Sequence, residues 1–100
     1  MNVLNAVTRK INEVRLEHKR MKAVTGIRML LDNLPAGMVK KAFEDVGAVV
    51  TFDDHVMIIA MPKGSLGDAT RLEVSYLNKD APTFKLFGTI KGVEHLLLEG

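Results

Sequence analysis

A chain of 100 residues, 47% apolar and 26% charged, has the size and make-up of one folding unit spanning residues 1–100, and should bury roughly 60–70% of the surface its unfolded form exposes. That balance excludes a disordered chain, and the absence of cysteine excludes disulfides, thiolate zinc sites and thiol nucleophiles. The net charge of +2 conceals a polarity: residues 9–28 hold seven Lys or Arg against Glu13 and Glu17, an excess of five positive charges, whereas residues 29–100 hold seven bases and ten acids.

The first periodic segment begins near Val3. Val7, Ile11, Val14, His18 and Met21 recur at spacings of four, three, four and three, the period of a heptad seam, and the residues between them are polar or basic. The spacing predicts a helix over roughly Asn2 to Val24. Gly26 interrupts the pattern, and Thr25 is a reasonable N-cap for a second helix that turns Ile27, Leu30, Leu31 and Leu34 to one side. Pro35 to Val46 predicts a third, with Met38, Val39, Ala42, Phe43 and Val46 inward and Gly47 as its stop.

After Gly47 the pattern changes to β-branched runs, Ala48 to Phe52 and Val56 to Met61, separated by the turn residues Asp53-Asp54-His55. A loop with Pro62, Gly64 and Gly67 leads to a clean alternation over Thr70 to Leu77, in which Leu72, Val74 and Tyr76 oppose Arg71, Glu73 and Ser75. Asn78 to Pro82 forms a turn, and Thr83 to Phe87 the next strand, which Gly88 ends or bends. Ile90, Val93, Leu96 and Leu97 then suggest a short final helix capped by Thr89 and weakened by Gly92. The expected fold is α+β in two layers: about three N-terminal helices, a four-stranded antiparallel meander and a short C-terminal helix.

No side chains assemble into a catalytic or metal signature, and no cofactor is implied. His18, His55 and His95 lie in three separate elements, without the i, i+4 spacing of helical metal ligands. Asp53-Asp54-His55 has ligand-type side chains, but these are ordinary residues of tight turns. Gly64-Ser65-Leu66-Gly67, beside Lys63, lacks the glycine spacing or the Gly-Lys-Ser/Thr ending of phosphate loops and is expected to be a connection. Ser65, Ser75 and Thr25 carry hydroxyls outside any nucleophile-elbow pattern.

Residues 25–61, with a short helix Ile27 to Leu34, the Pro35-Ala36-Gly37 turn, a helix Met38 to Val46 and a hairpin from Ala48 to Met61, resemble the second and third helices and the wing of a winged-helix DNA-binding domain. That resemblance implies nucleic-acid contact through Lys40 and Lys41. Shorter strings, Ala23 to Ile27, Leu31 to Pro35 and Lys40 to Val50, are similar to pieces of the C-terminal domain of the bacterial ribosomal stalk protein over less than a third of the chain, a convergence of helix-turn-strand wording.

The leading expectation is therefore a non-enzymatic binding or regulatory protein. It would act by association, as a homodimer or with a protein partner, through Val7, Ile11, Val14, His18 and Met21. His18 stands where the seam calls for an apolar residue, so it either hydrogen-bonds across the seam or lies half exposed at its edge. The alternative is nucleic-acid binding through Arg9, Lys10, Arg15, Lys19, Arg20, Lys22 and Arg28, aided by Lys40 and Lys41; a small enzyme is a second alternative. No apolar run reaches the roughly 18 residues that cross a bilayer, and no signal-peptide pattern opens the chain. A cytoplasmic protein without membrane contact is the corresponding expectation.

Overall fold

The computed structural model describes residues 21–65 and 68–100. Among them are two helices, α1 (residues 21–33) and α2 (Ala36–Asp45), and five strands: β1 (Val49–Asp53), β2 (Val56–Ala60), β3 (Ala69–Ser75), β4 (Thr83–Ile90) and β5 (Val93–Glu99). The strands form one antiparallel sheet in the order β1-β2-β3-β4-β5.

The break expected at Gly26 does not occur. Helix α1 runs straight through Thr25 and Gly26 to residue 33, so the separate helices expected before and after that point are one, and the count of three is corrected to two among the described residues. A helical glycine costs about 1 kcal/mol relative to alanine, which packing on the opposite side outweighs. Val24, Ile27, Leu30 and Leu34 press on the core, and Leu31 is buried in it. What ends the helix is Pro35, whose ring disfavours helical backbone in Leu34. Pro35 caps α2 from the extended region, its carbonyl accepting from the amides of Met38 and Val39 at 3.0 and 3.1 Å. At the other end, the amides of Gly47 and Ala48 donate back to Glu44 and Phe43, both at 3.0 Å, the paired closure of a Schellman turn.

Pairing register builds the core. Val50, Ile59, Leu72, Leu86 and Leu98 lie opposite one another across all five strands, and Met57, Val74 and Phe84 form a second row. Directly opposed residues project to the same side of a sheet, and this side is the one that α1 and α2 cover. Met57, Ile59, Val74 and Val39 are fully enclosed there, and Phe84 and Leu72 nearly so. The hairpin Ala48 to Met61, which looked like a wing, is hydrogen-bonded onward through β2 to β3. It is an integral edge of a larger sheet, not a free wing.

The C-terminal helix is also overturned. β4 continues past Phe87 to Ile90, a two-residue turn follows, and β5 returns alongside it. Lys91 and Gly92 both have positive φ, 50° and 78°, the combination that fits the twist of a two-residue hairpin. Helix-like spacing of Leu96, Leu97 and Leu98 arises from a β-bulge: Phe87 faces Leu96 and Leu86 faces Leu98, which leaves Leu97 as the extra residue. Both Leu97 and Leu98 thereby reach the core, which strict alternation would forbid.

Gly88 sits inside β4, fully buried, where the backbone of Asp68 and the side chain of Leu97 close in. An added Cβ would lie 2.5 Å from Leu97 Cδ1 and 2.7 Å from the carbonyl oxygen of Asp68. A Gly88→Ala substitution is therefore expected to destabilise the protein by about 1–3 kcal/mol. Phe84→Ala should cost about 3–5 kcal/mol. Urea unfolding of each variant beside the wild type measures both.

Candidate interaction surfaces

Of the five seam residues, Val7, Ile11, Val14 and His18 lie outside the described residues. Met21 is described and is 70% exposed. It precedes by three residues Val24, the first of the described residues of this helix that packs on the core. The apolar stripe of α1 is thus covered by the chain's own sheet from Val24 onward and uncovered at Met21.

Five members of the basic set, Arg9, Lys10, Arg15, Lys19 and Arg20, likewise lie outside the described residues. Lys22 and Lys41 are exposed. Arg28 is used within the fold: its guanidinium donates to the carbonyl oxygen of Pro82, Nε lies 3.4 Å from Asp32, and the group sits 5.9 Å from the centre of the Phe84 ring. It ties α1 to the turn before β4. Lys40 pairs with Glu44 at 3.8 Å along α2. Of the described cations, Arg28 and Lys40 are thus engaged within the fold, and Arg28 is a clamp of it.

A cluster the sequence did not announce occupies the side of the sheet opposite α1 and α2. Arg71 on β3 stacks 4.4 Å from the centre of the Phe87 ring on β4, and its Nη2 lies 2.7 Å from Glu94 on β5 and 3.1 Å from Glu73. Two carboxylates and a ring hold one guanidinium, which binds three strands together and leaves little positive charge for a ligand; among the described residues its Nε is buried without a hydrogen-bond partner. Alternation had placed Arg71 and Glu73 on one side, but Glu94 was assigned to a helix, so the partner could not be foreseen. The group is partly exposed, so each ion pair contributes at most about 1 kcal/mol.

The turn and loop candidates resolve as structure. Asp54 has a positive φ of 56° in the β1–β2 turn, and its carboxylate lies 3.1 Å from His55 Nδ1; among the described residues no group of three or more His, Asp or Glu could hold a metal ion. Ser65 donates through Oγ to the carbonyl of Pro62 at 2.7 Å, closing a turn, while Leu66 and Gly67 lie outside the described residues. Ser75 Oγ accepts from the amide of Leu77 at 3.5 Å. Thr25 lies exposed on α1.

Tyr76, just past β3, joins Leu31, Leu34, Pro35, Ala36 and Lys79 around an open cleft of about 350 Å³. Its hydroxyl is buried without a hydrogen-bond partner. Burial disfavours the phenolate and raises its pKa above the ordinary 10.0.

None of the protein-family models, curated proteins or solved structures compared with the chain matches it. Among the described residues no helix is long and apolar enough to cross a membrane, which says nothing of crossing by strands.

The Tyr76 pKa shift has a direct consequence. A group whose pKa is higher folded than unfolded contributes stability that is complete below the unfolded value, about 10, and is lost as the pH climbs through the folded value. Tyr76 is the chain's one tyrosine, so an alkaline absorbance titration reports it alone and should give a midpoint above that of the urea-unfolded protein. Tyr76→Phe should remove this part of the alkaline destabilisation and be neutral or stabilising at pH 7, because no hydrogen bond is lost with the hydroxyl.

Proposed function

We propose that this protein is an association module, working through the apolar stripe of its N-terminal segment with a second copy or a protein partner. The carrying observation is Met21. A methionine on the stripe that packs α1 to the sheet is 70% exposed where the sheet no longer covers it, and the sequence continues the same period backward through His18, Val14, Ile11 and Val7. An apolar row of that length favours a covering surface, since each large side chain withdrawn from water contributes about 1.5–3 kcal/mol. The excess of five positive charges over residues 9–28 would steer an acidic partner, or the acid-rich body of another copy, toward this segment.

The nucleic-acid reading draws on the same charge but loses Arg28 to the clamp on Pro82 and Asp32. It predicts binding that weakens steeply with salt, and abolition of that binding when Arg15, Lys19 and Lys22 are replaced by Glu.

Sedimentation equilibrium tests the proposal. The wild type should show concentration-dependent association, alone or on addition of a partner captured from cell extract after nuclease treatment. The Ile11→Asp, Met21→Asp double variant should weaken it by at least about tenfold, because each carboxylate must be desolvated in the seam. A wild type that stays monomeric at high micromolar concentration, and whose captured partner binds the double variant equally well, would overturn the reading.

A further inference from the structure

The sheet has two edges, β1 and β5, and they are built differently. β5 carries the bulge at Leu97 together with Glu94 and Glu99. Bulges and charges are the features by which proteins blunt a free edge. An antiparallel seam between two β5 strands would have to accommodate that bulge twice and would draw acids of like charge together. β1, with the sequence Val49-Val50-Thr51-Phe52-Asp53, has no bulge, lysine or proline, and its one charge is at its end.

Hairpin geometry determines which of its backbone groups are free. The two-residue turn Asp54-His55 closes on Asp53 and Val56, whose amide and carbonyl groups face each other as in a β-turn. Alternation along an antiparallel ladder then points the amide and carbonyl of Thr51 toward β2 and those of Phe52 and Val50 away from the sheet. Phe52 and Val50 are also the β1 residues on the helix-covered side, opposite Met57 and Ile59. Phe52 nevertheless remains 50% exposed, against 9% for Val50, and among the described residues no strand lies beyond it.

We propose that β1 is a self-pairing edge: two copies join antiparallel about a two-fold axis through Thr51, making one continuous ten-stranded sheet. The register follows from the backbone. With Thr51 opposite Thr51, Val50 of each copy faces Phe52 of the other, so every outward amide and carbonyl of both residues finds a partner. Phe52 gains an apolar neighbour on the helix side, extending the core row Val50, Ile59, Leu72. Thr51 meets its own copy on the open side, a favourable cross-strand pair. Asp53 falls opposite Val49, so no like charges meet. A symmetric patch that complements itself in this way is what a closed two-fold dimer requires. Five residues make a short seam, below the size of a standard stable interface, so the dimer is weak and concentration-dependent. It uses neither Met21 nor any residue before it, and so stands apart from the function proposed above.

The absence of native cysteine makes the test clean. Single variants Thr51→Cys, Val49→Cys and His95→Cys are oxidised at high micromolar concentration and resolved by non-reducing electrophoresis. Directly opposed residues of a pair that is not hydrogen-bonded have Cα atoms about 4.5 Å apart, within the span of a disulfide. Thr51→Cys should therefore cross-link as its main product, while Val49→Cys and the β5 control His95→Cys stay largely monomeric; a mixture of Val49→Cys with Asp53→Cys should cross-link as well. Placed in the Ile11→Asp, Met21→Asp background, Thr51→Lys, which sets two cations face to face on an exposed position, should abolish the remaining concentration-dependent dimer in sedimentation while leaving the urea midpoint of that background unchanged. Cross-linking of Thr51→Cys no faster than that of His95→Cys, or a dimer unchanged by Thr51→Lys in the Ile11→Asp, Met21→Asp background, would overturn the proposal. Repeating the cross-link in the Ile11→Asp, Met21→Asp background separates the two surfaces: it should be unaffected there.

Discussion

Everything in this fold depends on covering one side of a five-stranded meander. The rows Val50-Ile59-Leu72-Leu86-Leu98 and Met57-Val74-Phe84 put apolar side chains on the same side by register alone, and such a surface is stable only beneath a lid. Helix α1 supplies it through Val24, Ile27 and Leu31, α2 through Val39 and Phe43. Gly26 is tolerated inside α1 for this reason: burial on one side exceeds the propensity lost on the other. The same demand explains the bulge at Leu97, which lets consecutive leucines on β5 both reach the core.

The lid is narrower than the amphipathic pattern that makes it. Among the described residues of α1, Val24 is the first to pack on the core, whereas Met21, on the same stripe, is exposed, and the sequence carries the stripe further back. On the other axis the sheet stops at β1 with Phe52 half covered. Both features have one physical origin. A core of this size cannot enclose every apolar residue its elements present, and the remainder falls at the margins, where another surface can take it up.

Two arginines show how charge is spent inside such a fold. Arg28 fastens α1 to the buried Pro82 carbonyl and lies over Phe84, while Arg71 joins β3, β4 and β5 through Glu73, Glu94 and Phe87. Each combines a stacked ring with carboxylate or carbonyl acceptors, a geometry suited to the planar guanidinium. From composition alone both count toward a cationic surface. In space they are structural ties, and the part of the basic segment within view is less available for phosphate than its charge suggests.

Periodicity and composition by themselves determined the α+β class, the β1–β2 hairpin around Asp54-His55, the alternation of β3 and the helical nature of α1 and α2, because these features are written at short range in turn chemistry and hydrophobic spacing. What only the tertiary structure decided was the fate of residues whose local signals conflict. Thr25-Gly26 imitates a helix boundary, and Ile90 to Leu97 imitates a helix. In both cases the outcome depends on what lies across the core: the sheet beneath α1 in the first, and in the second β4, against which a Lys91-Gly92 turn returns a bulged strand. The pairing of Arg71 with Glu94 was hidden by the same cause. Its partner became visible only once the last segment was laid down as β5, since contact between residues far apart in sequence is set by register and not by local spacing.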